Sequence, residues 1–64
     1  MKIGDRVKTP DHGNGTIVEK EDVTSRIIKF GVKLDEVPDS DFMSKLHEKY
    51  GCLYYYIKEL EILK

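Results

Sequence analysis

The sequence predicts a small, mainly β domain: a barrel of five short strands with a helical insertion before the fourth strand. Three observations lead to this prediction. Segments with alternating polar and apolar residues, rich in β-branched side chains, recur along the chain. A glycine-rich turn separates the first two of them, and residues 40–51 change to the period of a helix. With 64 residues the chain has room for one domain, which we place at residues 1–64.

The N-terminal third predicts two strands joined by a tight turn. Residues 6–9 alternate polar and apolar, and Pro10 ends this strand because it has no amide hydrogen to donate. Residues 11–15, Asp-His-Gly-Asn-Gly, are residue types that favour turns and tolerate positive φ. Residues 16–20 continue as a second strand, and the polar residues 21–25 predict a hairpin loop.

Residues 26–35 give the strongest strand signal. Apolar side chains at period two predict one buried face, made of Ile28, Phe30, Val32 and Leu34. We expect this strand at the centre of the sheet. Gly31 lies on the opposite face, where a glycine predicts a sharp bend.

The insertion is predicted to be a short helix with one apolar face. Phe42, Leu46 and Tyr50 recur every fourth residue with Met43 beside them, so we expect this face to pack on the barrel. Asp39 or Ser40 is the expected N-terminal cap. Gly51 is the expected stop because it tolerates a left-handed conformation.

The C-terminal segment predicts the last two strands. Residues 52–57 are mostly aromatic and β-branched, with Leu53, Tyr55 and Ile57 on one face and Tyr54 and Tyr56 on the other. Residues 58–60 predict a single tight turn before a closing strand at residues 61–63.

Two resemblances follow from these patterns. The opening resembles the pattern Gly-Asp-x-Val-x-x-Pro-x-His-Gly-x-Gly-x-Ile of KOW and Tudor-like barrels, including the CarD-type domains that interact with RNA polymerase. The matching residues are Gly4, Asp5, Val7, Pro10, His12, Gly13, Gly15 and Ile17. Over nearly its whole length the chain also resembles small SH3-like proteins of Firmicutes bacteria and their phages, through residues 31–35, 53–57 and 59–61. The helical insertion departs from a minimal barrel of this kind.

Composition narrows the classes of function. The net charge is −1, with 11 basic and 12 acidic residues interleaved, which argues against a dedicated nucleic-acid coat. The single cysteine and the N-terminus, charged from its second residue, predict a cytoplasmic protein with no export signal, and no segment predicts a membrane span. His12, His47 and Cys52 lack the spacing of a metal site or an oriented catalytic group, so we expect no metal, cofactor or enzymatic activity.

We therefore expect a non-catalytic module that binds another protein. Exposed tyrosines bury a large area with few rotatable bonds, which suits a contact surface. The residues expected to contact the partner are Tyr54, Tyr56, His12, Asn14, Phe42 and Met43. The resemblance to phage proteins implies an accessory protein of a phage or mobile element that acts on a host transcription or defence complex.

Three alternatives stay open from the sequence. The first is a KOW- or Tudor-like nucleic-acid module in which Arg26, Lys29 and Lys33, on the outer face of the third strand, contact phosphates. The second is a small enzyme. The third is a homo-oligomer, suggested by the small core and by the apolar helix face.

Overall fold

The computed structural model describes residues 1–37 and 41–63, apart from the side chains of Asp41 and Met43. Five antiparallel strands form one curled sheet in the order β4-β3-β2-β1-β5. The elements are β1 (Arg6–Lys8), β2 (Asn14–Asp22), β3 (Ile28–Leu34), helix α1 (Asp41–Tyr50), β4 (Leu53–Tyr56), a single 3-10 turn (Ile57–Glu59) and β5 (Glu61–Ile62). The predicted mainly β fold, a small SH3-like barrel with a short helix before strand four, is confirmed.

The core lies inside the curl of the sheet. Phe30 and Val32 of β3 are at most 1% exposed, and Val7 of β1 and Ile17 of β2 are fully buried. The other apolar side chains of this core are Leu34, Leu53, Tyr55 and Leu60. The predicted inward face of β3 is therefore confirmed. Among the described residues, no helix has the length and apolar character needed to cross a membrane.

The middle strand of the sheet is β2, so the prediction that β3 lies at the centre was wrong. β3 lies between β2 and β4 and pairs with both. β2 also continues to Asp22, where it pairs with Ile28. The sequence hides this length because residues 19–22 extend beyond the core and are exposed, so they look like a loop.

A bulge in β2 lies opposite Gly31. The pairing with β3 shifts between Ile17 and Glu19, which leaves Val18 as the extra residue. Ile17 pairs with Val32 on the inner face and Glu19 pairs with Gly31 on the outer face. A bulge of this kind bends the strand and increases its twist, which is how a short sheet curls around its core. The irregularity of pairing beside Gly31 therefore lies in its partner strand, and the sharp bend at Gly31 itself stays a prediction.

The turn between β1 and β2 is organised by Thr9, which is 3% exposed. Its hydroxyl donates to the Gly13 carbonyl oxygen at 2.7 Å and accepts the amide hydrogen of His12 at 2.9 Å. The Thr9 amide also donates to the Gly13 carbonyl, at 2.8 Å. Gly13 has a φ of 76°, which explains the glycine at this position. These bonds fix the backbone from which the His12 side chain projects.

Helix α1 packs through only part of the face that its sequence predicted. Phe42 is 69% exposed and Tyr50 is 55% exposed, whereas His47 is 8% exposed and Leu46 is half-buried against the core. His47 turns inward because its Nε2 accepts the amide hydrogen of Leu34 at 3.2 Å. The helix ends at Tyr50, before Gly51, as predicted. The predicted caps, Asp39 and Ser40, lie outside the described residues.

The role of Leu34 explains why a histidine is needed here. Leu34 is the last residue of β3, and the pairing of β3 with β4 stops two residues earlier, at Val32 opposite Leu53. The Leu34 amide points toward the side where β4 no longer runs, so it needs another acceptor in a buried position. His47 supplies that acceptor, which ties the inserted helix to the end of the sheet.

β4 also ends one residue earlier than predicted, and this changes the position of Ile57. The amide of Tyr56 donates to Oε1 of Glu59 at 2.9 Å, and the chain turns into the 3-10 segment. Ile57 is therefore 47% exposed, although the sequence placed it on one face with Leu53 and Tyr55, which are buried. Leu60 is the side chain that enters the core after this turn.

Candidate functional site

The three consecutive tyrosines of β4 divide between the two faces of the sheet. Tyr55 is 8% exposed, while Tyr54 and Tyr56 are 40% and 41% exposed. This follows the period of two in a strand, as the sequence predicted. Tyr54 and Tyr56 are almost equally exposed, but they differ in their contacts.

Tyr54 is held by an internal contact across β3. Its ring lies over Gly31, where an added Cβ would be 3.3 Å from Tyr54 Cε1. Its hydroxyl donates a short hydrogen bond to Oε2 of Glu19 on β2. This bond holds the pKa of the Tyr54 phenol well above its usual range. The missing side chain at Gly31 thus allows one aromatic ring to connect β4 with β2 over the outer face.

Tyr56 lies beside a basic side chain and an open groove. The ammonium of Lys29, its cross-strand neighbour on β3, lies 5.5 Å from the centre of the Tyr56 ring. Beside it is an open groove of about 300 Å³, which we call the Tyr56 groove. Its lining residues are Arg26, Ile27, Ile28, Tyr56, Ile57 and Lys58.

A second groove of about 300 Å³ lies at the other end of β4, and we call it the Tyr50 groove. Its lining is also mostly apolar and comes from the β1–β2 turn, helix α1 and β4. The lining residues are Asp11, Leu46, Tyr50, Cys52, Leu53, Tyr54 and Tyr55. Of the two predicted contact residues on the helix, Phe42 is exposed, and the Met43 side chain lies outside the described part of the chain.

His12 belongs to a polar cluster with Asp11 and Tyr55. Its Nδ1 lies 2.6 Å from Oδ1 of Asp11 and 2.9 Å from the hydroxyl oxygen of Tyr55. The Tyr55 hydroxyl donates to the same Asp11 oxygen at 3.3 Å. The cluster therefore joins the β1–β2 turn to β4. A depression of about 260 Å³ beside it is lined by His12, Gly13, Asn14, Asp35 and Glu36.

The raised pKa of Tyr55 in this cluster predicts that the fold loses stability at alkaline pH. Burial, followed by the charge of Asp11, raises the pKa of Tyr55 from its ordinary value of 10.0 to about 12. Between these two values the unfolded chain loses the Tyr55 proton while the folded chain keeps it. We therefore expect the free energy of unfolding to fall as pH rises from 10.0 toward about 12.

Urea unfolding at a series of alkaline pH values tests this expectation. Tyr55→Phe should weaken the pH dependence without removing it, because the raised pKa of Tyr54 acts in the same direction. Tyr56→Phe, a change at an exposed tyrosine, is the matched control. Equal alkaline slopes in the wild type and in Tyr55→Phe would contradict the assignment.

Arg6 of β1 forms an ion pair with Asp35, which lines the depression beside His12. The guanidinium donates to both carboxylate oxygens, at 2.7 and 2.5 Å, and also to the Thr16 hydroxyl at 2.8 Å. The hydrogen bonds from Arg6 lower the pKa of the Asp35 carboxyl. Asp35 is thus paired with β1, so its charge in the depression beside His12 is already balanced.

The residues considered for catalysis take part in separate structural contacts. Cys52 is 1% exposed, and its thiol lies 3.8 Å from the Tyr50 carbonyl oxygen, to which it donates. Burial raises the pKa of the Cys52 thiol, which lowers the fraction of reactive thiolate. His47 bonds the Leu34 amide, and His12 bonds Asp11 and Tyr55. Within residues 1–37 and 41–63, no group of three or more His, Cys, Asp or Glu side chains is arranged to hold a metal.

The predicted basic stripe on β3 is divided in the structure. Arg26 precedes the strand, which begins at Ile28, and it lines the Tyr56 groove instead. Lys29 and Lys33 lie on the outer face, opposite Glu21 and Thr16 of β2. This face therefore carries both signs of charge, and three cations instead surround the Tyr56 groove: Arg26, Lys29 and Lys58.

Comparisons with known proteins give no relative for this arrangement. No protein-family model matches the chain, and neither the search of curated proteins nor the search of solved structures found a match. The candidate site therefore rests on the geometry described above.

Several residues of the site were not predicted from the sequence. Ile27 and Ile57 line the Tyr56 groove because they fall just outside β3 and β4. In a longer β4, Ile57 would share the inner face of Leu53 and Tyr55. One signal was present for Ile57. The spacing of Tyr56 and Glu59 is that of a helix start at which an acidic side chain bonds the preceding amide, and this predicts that β4 ends at Tyr56.

Proposed function

We propose that this domain is a non-catalytic module that binds a segment of another protein along β4. The observation that supports this most directly is that β4 has an open, mostly apolar groove at each end, each of about 300 Å³ and each lined by a tyrosine. In a domain this small, apolar side chains left outside the core lower solubility unless a partner covers them.

The exposed apolar residues near β4 support the same conclusion. Ile27, Tyr56 and Ile57 are 42%, 41% and 47% exposed and lie together around one groove. Tyrosine and isoleucine bury large apolar areas for little side-chain entropy, and such residues dominate binding energy when they cluster. Because the surrounding strands are hydrogen-bonded, the groove is formed before a partner arrives, which reduces the cost of ordering it.

A catalytic role has less support. His47 and His12 use ring nitrogens in hydrogen bonds that hold the fold, and Cys52 is buried. An activated nucleophile needs an adjacent base and an accessible position. The contacts of these three residues favour structural roles.

The nucleic-acid alternative also has less support. A phosphate backbone is bound by several cations that follow its track. On the outer face, Lys29 lies opposite Glu21, and Glu19 accepts the Tyr54 hydroxyl, so carboxylates interrupt such a track. The Lys29 ammonium also covers a face of the Tyr56 ring on which a base would stack.

We expect Tyr56→Ala/Ile57→Ala to lose a specific partner that the wild type retains. We propose to search for the partner in a host lysate, because the chain resembles phage proteins. The partner we expect belongs to a transcription or defence complex. The measurement is affinity capture with site-directed crosslinking from position 58, followed by mass spectrometry and by binding of the purified partner. The double variant removes two of the three exposed apolar side chains that line the groove, leaving Ile27.

The matched control is Val37→Ala/Ile62→Ala, which removes exposed apolar side chains away from the groove, at 59% and 44% exposure. Urea midpoints should show that both double variants stay folded. An unchanged partner in Tyr56→Ala/Ile57→Ala would reject this surface. Binding to a single-stranded oligonucleotide that weakens steeply with salt would favour the nucleic-acid alternative.

A further inference from the structure

We propose that the Tyr56 groove accepts a short partner segment in which apolar side chains are flanked by carboxylates. This inference rests on the proposed function and adds the chemistry of the partner. It follows from three properties of the groove: an apolar floor, a rim of positive charge and a backbone that is already ordered.

The floor of the groove is made of isoleucine side chains at the open end of the β3–β4 pair. Ile28 is half-buried and packs against the core, whereas Ile27 and Ile57 are exposed to the groove. Tyr56 forms one side of it. A volume of about 300 Å³ fits one or two large apolar side chains, and burying each of them contributes favourably by the area removed from water.

The rim of the groove is positively charged. Arg26 and Lys58 line it, Lys29 lies over the Tyr56 ring, and none of the six lining residues is acidic. The neighbouring carboxylate of Glu59 does not line the groove, and its Oε1 accepts the Tyr56 amide hydrogen at 2.9 Å. A partner with carboxylates beside its apolar side chains therefore complements this rim, whereas a basic partner would be repelled.

The loop that carries Arg26 and Ile27 is held in place by Thr24. The Thr24 hydroxyl accepts the amide hydrogens of Arg26 and Ile27 at 3.2 and 3.1 Å. The Val23 amide donates to the Ile27 carbonyl oxygen at 3.0 Å, which closes the turn. A loop that is ordered before binding costs less entropy when the partner docks.

The other depressions do not offer the same chemistry. The one beside His12 is lined by Glu36 and by Asp35, which Arg6 already pairs with. The Tyr50 groove is lined by Asp11, and the Lys49 ammonium lies 5.3 Å from the centre of the Tyr50 ring. Both would be less favourable for carboxylates. Of these three grooves, the Tyr56 groove is the one whose lining has basic and no acidic side chains, so it is the best match for an acidic and apolar segment.

The test is a titration of the isotope-labelled domain with three synthetic hexapeptides, followed by amide chemical shifts. The first is Asp-Glu-Ile-Phe-Glu-Asp, the second replaces its four acids by lysine, and the third replaces Ile-Phe by Ser-Ser. We expect saturable shifts at Ile27, Tyr56 and Ile57 with the first peptide alone. No saturation up to about 1 mM, or equal binding of the lysine peptide, would overturn the proposal, because 1 mM already corresponds to a very weak complex.

Charge-removal variants sharpen the test. Arg26→Gln/Lys58→Gln should weaken the binding of the acidic peptide about tenfold, since each exposed ion pair contributes about 0.7 kcal/mol to the binding free energy. Lys2→Gln/Lys45→Gln, with the same change in net charge away from the groove, should leave its affinity unchanged. Equal loss in both double variants would mean a non-specific charge effect and would overturn the proposal. Tighter binding of a single-stranded oligonucleotide at the same residues would overturn it as well.

Failure of this inference can be separated from failure of the proposed function. If a purified partner binds the wild type, loses binding in Tyr56→Ala/Ile57→Ala and keeps it in Arg26→Gln/Lys58→Gln, the binding function stands and the acidic partner is rejected. If the partner binds both double variants as tightly as the wild type, the groove is rejected as the binding surface.

Discussion

Gly15→Ala is expected to destabilise the domain by about 3 kcal/mol, since overpacking a tight site costs about 1–3 kcal/mol and this contact involves backbone. Gly15 is buried on β2, between Val7 of β1 and Leu34 of β3. An added Cβ would lie 2.5 Å from Val32 Cγ1 and 2.7 Å from the Lys33 carbonyl oxygen. Relief requires β2 and β3 to separate. Because a small core supplies only about 3–5 kcal/mol, most of the stability would be lost.

Urea unfolding followed by circular dichroism measures this loss, since the chain has no tryptophan to report it. The matched control is Gly13→Ala, where an added Cβ has no neighbour within 4 Å but φ is 76°. That strain costs about 1–2 kcal/mol. A smaller effect at Gly15 than at Gly13 would contradict the close-packing argument. Val32→Ala should not rescue Gly15→Ala, because the Lys33 carbonyl oxygen stays in place.

His47→Leu is expected to lower the free energy of unfolding by about 1–3 kcal/mol, the usual cost of leaving a buried donor without an acceptor. The donor is the Leu34 amide, 3.2 Å from His47 Nε2. The same change should release helix α1 from the end of β3, since this bond connects the two elements. Hydrogen exchange at the Leu34 amide should accelerate together with exchange in the helix.

His47→Gln is the matched comparison for this prediction. Its side-chain carbonyl oxygen can approach the position of Nε2 and accept the same amide hydrogen, so it should lose less stability than His47→Leu. If His47→Leu proves as stable as the wild type, with the Leu34 amide still protected, then another group accepts that hydrogen and the assignment is wrong.

Strand identity could be predicted from the sequence because it depends on local alternation. The inward residues of β3 from Ile28 to Leu34 follow a period of two, and the structure buries Phe30, Val32 and Leu34. The same rule separated Tyr55 from Tyr54 and Tyr56. The turn around Gly13 could also be predicted from the sequence, because few residue types tolerate positive φ.

Features that depend on pairing across the sheet could not be predicted in this way. The extension of β2 to Asp22 is stabilised by hydrogen bonds to β3 rather than by buried side chains, so its composition resembles a loop. The helix packs through His47 because the Leu34 amide, 13 residues earlier, lacks a strand partner. The spacing of apolar residues in the helix does not show that a buried backbone amide elsewhere needs a polar side chain as its acceptor.

Only part of the candidate site could be predicted from the sequence, because the rest depends on where two strands begin and end. Tyr56 and the cations Arg26 and Lys29 were expected to be outside, and all three contribute to one surface. Their convergence with Ile27, Ile57 and Lys58 depends on where β3 begins and where β4 ends. Those boundaries are set by the Thr24 turn and by Glu59, through side-chain hydrogen bonds that the alternation of polar and apolar residues does not show.

The two outer strands of the sheet limit aggregation. β4 has four residues and β5 has two, so neither offers a long row of unpaired amides to another copy of the chain. Glu59 covers one further amide at the end of β4, that of Tyr56. Short edges of this kind disfavour strand-to-strand stacking between molecules. The domain can therefore expose isoleucine and tyrosine to a partner while its backbone gives little template for fibril growth.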